Sequence, residues 1–318
     1  MADLSPRWSG PGAGRLIETN APRITLETLD ALHHNPQGLL RENLVLSDWY
    51  VAALEAKMAA ESGCAVIVDL TCESLGPQAL LCRTISERSG VHVVVSIGRY
   101  MASCLGPDEL AEETISLVER WSVEAAEGRE GCPIGIIGEL GVGNDFSDPE
   151  QRTLEAGAEV QSRFGLPINV HLEPGSRKLA AALSVLEKAG ADLSRVAISH
   201  LDTHFDNDII GLALQAGCMV EFDLFGRAPT YRFKGRYTAD DESRVAQIVE
   251  LVDAGHLDRI LVSQDICMRT SLTRYGGYGY SHLAQHVYPA IADRLGEQAL
   301  WAISRINPLR FLHSPERD

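Results

Sequence analysis

A rhythm constrains this 318-residue chain more than any single motif does. Short runs rich in β-branched residues recur along it: "CAVIVDLT" (64–71), "VHVVVSIG" (91–98), "PIGIIGEL" (133–140), "LPINVHL" (166–172), "VAISHLD" (196–202), "CMVEFDLFG" (218–226) and "RILVSQD" (259–265). "RITLET" (23–28) adds an eighth. A strand with water on one side alternates apolar and polar residues, whereas a parallel strand covered by helices on both faces reads as an unbroken apolar run. The segments between these runs are amphipathic with a helical period, as in "SDWYVAALEAKMAAESG", "PDELAEETISLVERWSVEAAEG", "DPEQRTLEAGAEVQSRFG" and "DDESRVAQIVELVDAG". Several open on Ser or Asp and close on Gly, the cap and stop signals of helices. Eight such units without a long linker predict an α/β protein, one distorted (β/α)8 TIM barrel over residues 1–318 with residues 1–20 as an extension. The rival, an open doubly wound sheet, would carry a glycine-rich dinucleotide turn. "GELGVG" does not supply one, since an acid stands where a pyrophosphate would lie.

Composition narrows the partners. A net charge of −16 and a pI near 5.0 argue against nucleic acid, which needs a cationic face to displace counterions, and against anionic lipid. The opening "MADLSPRWSGPGAG" has no apolar signal core, and no later run approaches the ~20 apolar residues that span a bilayer. Seven cysteines without a CxxC pair read as reduced, mostly buried thiols. The expectation is a cytoplasmic protein acting on a small molecule.

A barrel keeps its chemistry at the C-terminal ends of its strands. There the predicted strands carry Glu139, His171, His200 and Asp265, each following an apolar run that has no structural use for it. One such histidine alone would read as a hydrogen-bonded structural residue, and one such acid as a cap. Two imidazoles and two carboxylates on four strand ends read as ligands of Zn²⁺ or a similar divalent ion. "HLDTH" and "HLAQH" also pair histidines at i, i+4, but neither has Glu after its first His. His282 and His286 are therefore expected at the edge of the core or in solvent.

With those motifs in hand, the chain resembles the phosphotriesterase-related branch of the amidohydrolase superfamily. "GIIGELG", "INVHLEPG", "AISHLD" and "ILVSQDIC" carry the resemblance, with "VIVDLTCESLG", "YGGYGYSHL" and the closing "NPLRFL", over about residues 20 to 313. The resemblance implies a binuclear centre, usually of zinc, in which Glu139 bridges, His171 and His200 hold one ion, and Asp265 contributes to the other. The family's first strand usually gives His-x-His. Aligned on Thr25 and Leu26, this chain has Thr28 and Asp30 at those two positions, with His33 and His34 following as loop residues. The oxygen-rich half, Asp30, Glu139 and Asp265, would then suit Mn²⁺ or Mg²⁺. Three arrangements stay open: a mixed binuclear site, a single ion on Glu139, His171 and His200, or none.

The same resemblance implies the reaction. A metal-activated water attacks a carboxylic ester or lactone, ahead of an amide or phosphotriester, with Asp265 taking the proton. Arg227 falls after the seventh strand, where related enzymes contact substrate, Tyr100 after the third strand is expected to contribute to the pocket, and Asp202 is placed to hold His200 or to cap a helix. Relatives with this barrel often pair as homodimers. The alternative is a lyase or small-molecule-binding member with a reduced site, for which the change at Thr28 and Asp30 is the sign.

Overall fold

The computed structural model describes residues 23–313 except 35, 37–39, 204–206, 228–231 and 234–235. Its frame is a seven-stranded parallel sheet in strictly sequential order. The strands are β1 (Val66–Asp69), β2 (His92–Ile97), β3 (Ile134–Val142), β4 (Ile168–Leu172), β5 (Val196–Ser199), β6 (Met219–Phe222) and β7 (Ile260–Val262). Each lies within one of the apolar runs named above, except that β3 continues two residues past its run, and the curled sheet is that of a TIM barrel. A two-residue ribbon, Arg232–Phe233 with Arg236–Tyr237, stands apart in the loop after β6.

Helices cover the outer face, and their ends follow from the sequence. In α2 (Trp49–Glu61) the Asp48 carboxylate accepts from the N–H groups of Tyr50 and Val51 at 3.1 and 3.2 Å. In the helix Asp148–Phe164, Glu150 reaches back to the Ser147 N–H at 2.8 Å, and Gly165 ends the helix at φ +69°. The long "PDELAEETISLVERWSVEAAEG" segment divides into Pro107–Ala111 and Thr114–Glu127. The main core lies between helices and sheet around Trp121, Leu117, Leu140 and Leu154, all fully buried. A smaller cluster inside the barrel joins Ile136, Ala197, Met219 and Leu261 to Phe311 of the C-terminal helix.

The eighth expected strand is corrected. Residues expected as the strand "RITLET" instead open the helix α1 (Leu26–His34). Thr28 Oγ1 accepts from the Thr25 N–H at 2.9 Å and donates to the Thr25 carbonyl at 3.0 Å, a local ring that starts a helix rather than a ladder. Leu26, Leu29 and Leu32 recur at a helical spacing, and of these Leu32 is buried. His33 and His34 consequently lie in a helix, not a loop.

Candidate metal centre

Four strand ends build the site, and local backbone features aim its side chains. Between Ile137 and Leu140 the β3–β4 register shifts, Ile137 facing Ile168 and Leu140 facing Val170, so β3 carries one extra residue there. A bulge of this kind re-aims a side chain. Gly138 sits in it at φ +145°, so close to β4 that a Cβ would lie 2.6 Å from the Asn169 carbonyl oxygen. Only glycine fits, and its neighbour Glu139 turns toward the barrel mouth. On β4, His171 pairs with Ser199 of β5, which sets His200 one step beyond that strand. His200 and Asp265 are both left-handed, at φ +62° and +42°, where non-glycine residues are uncommon and cluster at functional sites.

The result is a tight group. One donor atom each from Glu139, His171 and His200 lies within 4.8 Å of the others. His200 Nε2 stands 2.7 Å from His171 Nδ1, and the Glu139 oxygens are 3.4 and 3.5 Å from these nitrogens. Both histidines are buried. Asp223, directly after β6, fixes His200 by accepting from its backbone N–H at 3.0 Å and from ring Nδ1 at 2.8 Å. That bond turns Nε2 toward the group, the arrangement by which carboxylates orient metal-binding imidazoles. Two imidazole nitrogens and a carboxylate converging on one point are a donor set suited to zinc or a similar divalent ion.

The electrostatics agree. Burial opposes ionisation of Glu139, but His171 and His200 outweigh it and hold the acid below the ordinary carboxylate range. Burial would likewise lower His200, yet Asp223 and Glu139 lift it well above the usual imidazole value. Asp223 is pushed up to about 8, mainly by burial, against the pull of His200. Protons and a cation therefore compete for one pocket of concentrated negative charge.

The other expected residues divide. Tyr100 is at the site, its hydroxyl 3.2 Å from the ring nitrogens of His171. Asp265 is at the same mouth, but its carboxylate turns to Arg227 Nη2 at 2.9 Å and is not part of the three-residue group. Arg227 lines the cavity, with Nη2 bonded to Asp265 and, at 3.3 Å, to Cys267 Sγ. Asp30 is a correction: it lies on α1 with a side chain 93% exposed, beside His34, and is not part of the group formed by Glu139, His171 and His200. Thr28, its companion in the expected pair, is taken up by its bonds to Thr25. Asp202 does not touch His200 either. It is fully buried against Arg244 Nε at 2.6 Å and accepts from the Leu224 N–H, tying the loops after β5 and β6 together. His282 is a buried core-edge residue, its Nε2 2.7 Å from Asp241 and its ring stacked on Tyr278, while His286 is exposed. Sequence reasoning missed Asp223, although "VEFD" repeats the pattern of an apolar run ending in an acid. It also missed Glu221, which accepts from Asn169 and Ser199 at 2.8 and 2.9 Å within the barrel.

Comparison with known proteins places this geometry. Residues 23–312 match the Phosphotriesterase family. The N-acetyltaurine hydrolase of Mus musculus is 32% identical over 303 residues, covering 92% of this chain and 86% of that protein. A resiniferatoxin-binding protein from Rhodobacter sphaeroides superposes with a TM-score of 0.90 at 33% identity, over 99% of this chain and 90% of its own. A lactonase from Listeria monocytogenes does so with a TM-score of 0.77 at 26% identity, over 86% and 89%. Among the described residues, no helix is long and apolar enough to cross a membrane.

Proposed function

We propose, from the premise that this chain belongs to the phosphotriesterase family, that it is a metal-dependent hydrolase of carboxylic acid derivatives. The observation that carries the reading is the convergence of Glu139, His171 and His200 within 4.8 Å at the barrel mouth. These three would hold a divalent ion, zinc first, with Asp223 and Tyr100 keeping the two imidazoles in place. When bound, such an ion polarises a carbonyl and lowers the pKa of water toward ~7. Asp265 is the group placed to take up a proton. Burial raises its pKa, and Glu139 adds to the rise against the pull of Arg227 and His200. A carboxylate lifted in this way is a better base near neutral pH. Tyr100 is held neutral by burial and by the nearby acids, so its hydroxyl is a donor.

The substrate is an amide or an ester. Relatives such as the mouse N-acetyltaurine hydrolase match over most of their length, so an N-acyl amide with an anionic tail is the first substrate to test. The ester or lactone reading has its own support in the Listeria lactonase. The chain, loaded with zinc or manganese, is assayed on N-acetyltaurine and on a panel of simple lactones. Turnover of one class, lost by about 100-fold or more in His171→Ala, is the expected result. Equal rates in both proteins would refute a role for the cluster.

A further inference from the structure

The loop after β6 brings Arg227 to the mouth of the barrel on a backbone tied at several points. Asp202 accepts from the Leu224 N–H at 2.9 Å, and Asp241 from the Gly226 N–H at 3.0 Å. The Arg227 N–H itself donates to the Leu224 carbonyl at 3.2 Å. Arg244 joins the two acids, with Nε 2.6 Å from Asp202 and Nη1 3.2 Å from Asp241. Gly226 turns the chain at φ +80°, packed so that a Cβ would lie 3.1 Å from His282 Cδ2. Backbone held this firmly delivers a side chain to one place.

That place is Asp265. Arg227 Nη2 donates to the Asp265 carboxylate at 2.9 Å and also to the carbonyl of the same residue. The Arg227 side chain is only 7% exposed. A guanidinium does not lose its proton in a protein, so this is a permanent positive charge set against the acid. The two neutralise each other, and the carboxylate that remains with the histidines is Glu139, whose oxygens lie 3.5 and 3.4 Å from His171 and His200. Two imidazoles and one carboxylate are the three-ligand set of a catalytic zinc that keeps its fourth position for water.

We infer that Arg227 is a resident cation: its guanidinium takes the place beside Asp265 that a second metal ion would take, and the centre loads one divalent ion per chain. An ion held by Asp265 would sit against the guanidinium or displace it, and like charges in contact at a buried site are poorly screened. Asp265 thus stays outside the ligand set, at the mouth, where the hydrolase reading needs a proton acceptor. The inference rests on Glu139, His171 and His200 forming a metal centre, and goes beyond that reading, which fixes neither the number of ions nor a role for Arg227.

The test counts metal rather than turnover. The full chain is equilibrated with Zn²⁺ or Mn²⁺, freed of loose ions by gel filtration and analysed by plasma mass spectrometry, with affinity from chelator competition. The expected result is one ion per chain. Asp265→Asn keeps that ion, with a loss of affinity smaller than the ~10-fold lost with a partner that orients a ligand. Arg227→Met binds zinc about tenfold or more tightly, since a buried carboxylate that loses its cation recruits another, while Arg227→Lys stays near the native affinity. Two ions per chain, one of them lost in Asp265→Asn, overturns the inference and leaves the metal centre standing. So does a folded Arg227→Met with native count and affinity; if that variant does not fold, the native and Asp265→Asn counts decide. No ion in any of the proteins overturns the inference and the metal-centre reading together.

Discussion

At the residue scale the account turns on which atoms face the proposed ion. Asp223 accepts from the outer ring nitrogen and the backbone N–H of His200, so it acts by position. Asp223→Asn keeps the shape and replaces one of the two oxygens that accept from His200 by an amide donor. Metal affinity, measured by chelator competition, is expected to fall about 10- to 100-fold, with an unchanged far-ultraviolet spectrum. Unchanged affinity would mean that Asp223 does not orient the ligand. The sequence exposed Glu139, His171 and His200 because each breaks an apolar run where a barrel strand must end. It misled at Asp30, because an alignment on two residues, Thr25 and Leu26, said nothing of the helical ring that Thr28 closes with Thr25.

Elements explain why the site has its shape. The β3 bulge needs a residue without a side chain at position 138, since a Cβ would meet the Asn169 carbonyl at 2.6 Å and Asn169 Cβ at 2.9 Å. Gly138→Ala is expected to cost about 2 kcal/mol or more in urea unfolding, with loss of metal affinity because Glu139 is displaced. A wild-type unfolding midpoint would contradict the packing described. The loop after β6 gives a pH prediction. Burial works to raise the Asp241 carboxyl, but His282, the Gly226 N–H and Arg244 outweigh it and hold it below its ordinary value. A depressed carboxyl contributes stability that is present above the unfolded pKa, ~3.9, and is lost as pH falls through the lower folded value. Between about pH 6 and pH 3, Asp241→Asn should therefore lose less stability than the native chain. An equal loss would mean that these bonds do not favour the charged form. Helix boundaries were legible where Asp48, Ser147 and Gly165 mark them. The break at residues 112–113, which divides 107–128, was not, because the apolar period runs through it.

Over the whole molecule, seven of the eight expected strands fall where the apolar runs put them, since a parallel strand covered on both faces has little freedom of composition. Which residues complete the cylinder was not legible. "RITLET" has the composition of a strand and the spacing of a helix, and local hydrogen bonding decided for the helix. The same frame gathers side chains 29 to 71 positions apart in sequence, Tyr100 to His171 and His171 to His200, around one point. The most direct measurement of that convergence is an anomalous-difference map from crystals of the chain grown with zinc or manganese. The account predicts a peak within bonding distance of Glu139, His171 and His200 together. A map with no peak there, or with ions only elsewhere, would contradict it.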